Sequence, residues 1–233
     1  MSYDAERAYA EIEAMLSANL PKGNKREKLL TFHKDKKKLF LKRPASLNHH
    51  HCYDGGYAIH VCEVMRNCLE IYESVVESLP DINFGVQDLV ISAYVHDLDK
   101  LLLRYVDSFE PPSEDQKKYA RALGLKVAAK DSKKILVEKI AAAKAGREPD
   151  LSGIGTHSYN SEFLPIDDGA IVLHLCVHEI KVSLTDVQLC AVCQHEGGWS
   201  AQGNKGMKGI SSVLHAADLI SANVQNGKAF QKT

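Results

Sequence analysis

Apolar and polar positions follow a helical period along most of this chain. Between residues 3 and 20, Tyr9, Ile12, Leu16 and Leu20 recur at helical spacing, and Pro21-Lys22-Gly23-Asn24 stops the pattern. Residues 25–42 form a lysine-rich stretch, and Pro44 to Gly56 is irregular. Tyr57 to Leu79 predicts a helix with Ile59, Val61, Val64, Met65, Cys68, Leu69, Ile71 and Tyr72 apolar, ended by Pro80. Val86 to Tyr105 is almost wholly apolar in its first half, which predicts a helix buried all round. Pro111-Pro112 breaks the chain, and Ser113 is placed to cap a polar helical stretch over 113–146 with a break between 120 and 130. Residues 147–165 have no period and predict a long loop, of a length that in compact domains is usually functional. Asp167 to Ile180 and Ser183 to Glu196 predict two more helices, the second capped by Ser183 or Thr185. A glycine-rich loop, Gly197 to Gly209, holds the single tryptophan, Trp199, and Gly209 to Asn226 closes the chain as a helix. No strand pattern and no repeat stands out. The expected fold class is all-α: a helical extension over 1–43 packed on a domain spanning 44–233.

Composition narrows the function. The 233 residues are 45% hydrophobic and 25% charged, with a formal charge of -1. A near-neutral chain argues against binding that relies mainly on nucleic-acid phosphates. No apolar run is long enough to span a bilayer, and the charged N-terminus lacks a signal-peptide core. A cytoplasmic location is the expectation, and self-association stays open. The basic run Lys34-Asp35-Lys36-Lys37-Lys38 reads as a solvated helix face rather than a phosphate track. The cysteines, Cys190-x-x-Cys193 included, are expected to be reduced, buried core thiols, because no second C-x-x-C completes a zinc ribbon.

Polar groups inside apolar runs carry the candidate chemistry. His96-Asp97 follows Leu89-Val90-Ile91-Ser92-Ala93-Tyr94-Val95. His60 sits in the first half of an apolar helix, and Asp218 lies in Leu214-His215-Ala216-Ala217-Asp218-Leu219-Ile220. Buried charge needs a partner. Two imidazoles and two carboxylates on three helices form a mixed set suited to manganese, iron, cobalt, nickel or magnesium. His174 and His178 share one helix face but read as lining that helix.

The order His60 … His96-Asp97 … Asp218 resembles the signature of the HD-domain metal-dependent phosphohydrolases. Pro44-Ala45-Ser46, His50-His51 and Gly56-Tyr57-Ala58-Ile59-His60 resemble the entry to the HD domain of bacterial 3′-to-5′ exoribonucleases. His96-Asp97-Leu98-Asp99-Lys100 resembles H-D-I-G-K, with Asp99 in place of glycine. Gln194-His195-Glu196-Gly197-Gly198 and Leu214-His215-Ala216-Ala217-Asp218 resemble the later segments. The resemblance implies an HD helical bundle holding a divalent ion through His60, His96, Asp97 and Asp218. It implies catalytic roles for Asp97 and Lys100, and substrate contacts from Lys100, His195, Trp199 and Asp168; His50 and His51 either act catalytically at the phosphate or cap the next helix, and the two loops offer Trp199 or Tyr159 to stack on a base. Relatives carry a histidine where Asp168 stands; Asp168 either caps its helix or, with His195, serves a second ion. The exoribonucleases' nucleic-acid-binding barrel has no counterpart here, so the expected substrate is a small nucleotide, hydrolysed by a nucleotidase or deoxynucleotide triphosphohydrolase. The alternatives are a 3′-to-5′ exonuclease or cyclic-nucleotide phosphodiesterase, and a non-catalytic binding protein stapled by its metal.

Overall fold

A computed structural model describes residues 4–47, 49–76, 82–107, 111–128, 131–149, 151, 157–163, 167–197 and 209–225. The chain is mostly helical. Its α-helices run α1 Ala5–Asn19, α2 Asn24–Asp35, α3 Lys37–Phe40, α4 Gly56–Ile71, α5 Val86–Val95, α6 Glu114–Ala122, α7 Lys133–Lys144, α8 Asp168–Leu175, α9 Asp186–Gln194 and α10 Ile210–Ile220. Several starts are set by side chains that accept from the first turn's free N–H groups: Asp4 for α1, Ser113 for α6, Ser132 for α7, Asp167 for α8 and Thr185 for α9. Among the described residues, no helix is long and apolar enough to cross a membrane.

The apolar content of α4 explains its position. Nearly every residue from Gly56 to Met65 is buried, and α4 packs against α1, α5 and α10. Helix α5 is covered as fully and also meets α1 and α9. The first helices share this core: Tyr9, Ile12, Leu16, Leu29, Phe32 and Phe40 join Val61, Met65, Val90, Tyr94 and Leu214 in one cluster. His33 is buried there too, its ring stacked 4.0 Å from that of Tyr9, with Nε2 3.0 Å from the Tyr9 carbonyl.

The structure corrects three expectations. Regular α-helix stops at Val95 rather than continuing to Tyr105; after two turn residues the winding widens into a π-helix over Lys100–Arg104. The same widening follows α4, α8 and α10, over Tyr72–Val76, Cys176–Ile180 and Ser221–Gln225. Second, the region read as strand-free loop holds His157–Tyr159, which pairs antiparallel with Tyr105–Asp107; Tyr105 faces Tyr159 and Asp107 faces His157. Three residues are too few to print an alternating pattern. Third, the thiols are not uniformly buried. Cys62, Cys68 and Cys176 are, whereas Cys52 and Cys193 are half-buried and Cys190 is exposed, because α9 turns that side outward.

Candidate metal and phosphate site

His60 is completely buried in the first half of α4, and His96-Asp97 lies where α5 loses regular winding. Asp218 comes from the third turn of α10. Packing of α4 between α5 and α10 brings them together. His60 Nε2 lies 3.3 Å from Asp97 Oδ2, 3.2 Å from Asp218 Oδ1 and 3.3 Å from His96 Nε2. His96 Nε2 is 3.4 Å from the same Asp97 oxygen. Donors that share one divalent ion at about 2.0–2.2 Å sit roughly 3 Å from one another. His60, His96 and Asp97 therefore have the spacing of a single coordination sphere, and Asp218 borders it through His60.

Hydrogen bonds behind the rings decide which nitrogens face inward. His96 Nδ1 donates to the Ala93 carbonyl at 2.7 Å, and His195 Nδ1 to the Val192 carbonyl at 2.6 Å. A carbonyl only accepts, so each Nδ1 carries a proton and each Nε2 turns to the cluster. His195 Nε2 is 3.5 Å from Asp97 Oδ1. His195 thus joins the first cluster through the other oxygen of Asp97, a placement that sequence reasoning missed because it lies at a helix end outside the apolar run.

Charge follows the same geometry. Burial opposes charge on His60, yet its hydrogen bonds to the carboxylates of Asp218 and Asp97 lift its pKa to about 9; Asp97 does the same for buried His195, also to about 9. Burial would raise the Asp97 carboxyl, but Lys100, His96, His195 and His60 hold it well below the usual carboxylate range. Asp218 is likewise lowered, against its burial, chiefly by His60. The carboxylates demand a cation between themselves and the imidazoles. A proton satisfies one such contact at a time, whereas a divalent ion satisfies all of them, so the donor set fits a metal of intermediate hardness.

A cavity of about 440 Å³ opens beside this cluster, with His49, His50, Lys100, Arg104, Tyr105, Tyr159, Glu196, His215, Asp218 and Leu219 in its wall. Lys100 Nζ donates to Asp97 Oδ2 at 2.7 Å, and that carboxylate keeps the lysine charged despite burial. Arg104, which sequence reasoning did not single out, donates through Nε to Asp99 Oδ2 at 2.6 Å and pairs with Asp168. Burial raises the Asp99 carboxyl to about 6. Asp99, at the usual glycine position of the resembled motif, is therefore an anchor for a pocket arginine. His50 is kept neutral: burial first, then the charges of His60 and Lys100, push its ring down to about 2.

The other predicted residues fall as follows. Asp168 is the first residue of α8, but the cap is Asp167, and Asp168 is committed to Arg104. Among the described residues, neither Asp168 nor His195 falls in a group of three metal-capable side chains; besides His60, His96 and Asp97, such a group is His50, His51 and His60. Tyr159 lines the cavity, while Trp199 lies outside the described residues. His174 and His178 stack at 4.2 Å on the exposed side of their helix. No protein-family model matches this chain, and no curated protein or solved structure matches it either.

Most cations of the basic run and the residues after it are paired. Lys34 meets Glu13, Lys36 meets Glu179, Lys37 meets Glu6, and Lys42 and Arg43 both meet Asp107.

Proposed function

We propose that this protein is an HD-type, metal-dependent phosphohydrolase acting on a small nucleotide. One observation carries the reading: the inward-facing nitrogens of His60, His96 and His195 meet the carboxylates of Asp97 and Asp218 at the edge of a cavity that also presents Lys100 and Arg104.

His60, His96, Asp97 and Asp218 would hold the ion, with His195 completing the set. When bound, a divalent metal polarises a phosphoryl oxygen and makes water a competent nucleophile near neutral pH. The side chains do the rest. Lys100 places its ammonium where negative charge grows on the phosphoryl oxygens as water adds and the ester or anhydride oxygen leaves. Arg104, oriented by Asp99 and Asp168, faces the same cavity with a planar donor fork suited to phosphate oxygens. His50, neutral and at the wall, accepts a hydrogen bond that orients the attacking water, whose proton leaves to solvent through the cavity. Tyr159 and Leu219, both well exposed, give the cavity an apolar flank for a base.

The paired lysines favour a small substrate over a strand. A polymer track needs unpaired cations along its length, and here the carboxylates of α1, of Glu179 and of Asp107 already occupy these. The deciding experiment supplies manganese and measures phosphate, pyrophosphate and triphosphate release from a panel of ribo- and deoxynucleotides, beside trimming of a labelled oligonucleotide. Release from free nucleotides is expected. Processive trimming with the nucleotides untouched would establish the exonuclease instead, and no turnover of either with metal bound would favour the stapled binding protein.

A further inference from the structure

The chemistry above leaves a buried acid beside His60 unused. Glu63 is 2% exposed on α4, three residues after His60. Its Oε2 accepts the Ser221 hydroxyl proton at 2.8 Å. A hydroxyl has one proton to give, so Ser221 Oγ must accept from His60 Nδ1, 2.9 Å away. This fixes a proton on Nδ1 of His60 and turns Nε2 to the metal cluster, as the carbonyls do for His96 and His195.

The same Glu63 oxygen lies 3.0 Å from His51 Nε2, in a contact bent from a straight hydrogen bond. The contact is short of a hydrogen bond, but an acceptor oxygen at this distance favours the His51 tautomer with its proton on Nε2. Its Nδ1 then accepts from His50 Nδ1 at 3.1 Å. His50 is left with Nε2 as the basic nitrogen of a ring that lines the cavity.

The backbone is strained to hold this arm. His51 has φ 48, a left-handed conformation that is uncommon and costly for a bulky side chain. Its carbonyl accepts from Ala45 N at 3.2 Å. A Cβ on Gly56 would stand 2.1 Å from that carbonyl oxygen, so only glycine admits the approach. Strain of this kind persists where surrounding structure enforces it, and it clusters at functional sites.

We propose that Glu63 is a positioning residue that sets two nitrogens through one carboxylate: the metal-facing nitrogen of His60 by way of Ser221, and the cavity-facing nitrogen of His50 by way of His51. The inference rests on the metal-dependent reading but not on which nucleotide is the substrate. It couples the two halves of the site, since one side chain orients both an ion holder and an imidazole of the cavity wall.

The test compares Ser221→Ala, which cuts one arm, with Glu63→Gln, which disturbs both. Manganese binding is measured by titration, turnover at saturating manganese, and the His60 Nδ1–H proton in a ¹H–¹⁵N imidazole spectrum, assigned by its loss in His60→Gln. Loss of such an outer partner weakens metal binding about 10- to 100-fold, and both variants should show this. Ser221→Ala should recover its rate at saturating manganese, while Glu63→Gln should stay slow because His50 is no longer oriented. The exchange-protected His60 Nδ1–H signal should be present in the wild type and lost in Ser221→Ala. Wild-type manganese affinity in both folded variants, with that signal unchanged, would overturn the proposal. If Glu63→Gln does not fold, Ser221→Ala and the spectrum decide alone. If the wild type binds no manganese, the metal reading fails, and the His60 proton still shows whether the Ser221–Glu63 chain sets the ring.

Discussion

At the scale of single residues, the buried polar groups separate by what they face. Replacing His96 or Asp218 by alanine removes a donor that stands 3.3 or 3.2 Å from His60 Nε2. Metal analysis should find about one divalent ion per chain in the wild type and its loss in both variants; full retention would sink the ligand assignment. Lys100 sits beside the cluster rather than within it. Lys100→Ala should keep the ion and lose about 10²- to 10³-fold in turnover, as removal of a charge-stabilising donor does. His33 makes a different prediction. Burial pushes its ring down to about 4, whereas an unfolded histidine titrates near 6.5. Between those values the unfolded chain takes up a proton that the folded chain refuses, so stability present above about pH 6.5 is lost as pH falls through 4. Thermal melts across that window should show the wild type losing up to about 3 kcal/mol more than His33→Phe; parallel curves would show that His33 does not control acid sensitivity. The four proposed metal donors were legible in the sequence because each is a polar group set in an apolar run. Glu63 is also polar within an apolar helix, but its partner Ser221 is 158 positions away, and no local pattern links them. Arg104 was hidden for a similar reason, since its anchor Asp168 belongs to another helix.

At the scale of elements, helix type and order followed from apolar spacing and caps, whereas ends and strands did not. The sequence cannot show that α5 stops at Val95, because Leu101, Leu102 and Leu103 continue the apolar pattern while the hydrogen bonding changes beneath it. The junction before α4 is the most constrained. Gly55 has φ 81, and a Cβ on Gly56 would meet the backbone of His51. Gly56→Ala must push the segment carrying His50 and His51 away from α4. Overpacking of this kind typically costs about 1–3 kcal/mol, so the variant should melt lower and turn over more slowly with its manganese affinity less affected than its rate. A variant as active as the wild type would mean that this segment is free to shift.

At the scale of the whole molecule, the all-α class was legible because 3.6-residue spacing repeats along the chain, and it places the site where α4, α5 and α10 meet. Surface electrostatics were less so, because a run of lysines does not reveal its partners. With Lys34, Lys36, Lys37, Lys42 and Arg43 paired to carboxylates, few cations remain in that run to release counterions from a strand. The Michaelis constant for a free nucleotide should therefore change only modestly between low and moderate salt. A steep fall in apparent affinity with salt would point to an extended phosphate contact.

The π-wound segment Lys100–Arg104 bears on how this pocket tolerates change in length. It spans both Lys100 and Arg104, and both stand on the cavity wall. Wider turns of this kind amount to one extra residue held in a helix, and they recur at functional sites. A single-codon deletion at Leu102 should relax the segment to ordinary winding and swing the guanidinium out of register with the ammonium. The apolar pattern would survive that deletion almost intact, while the pocket would lose one of its two fixed cations.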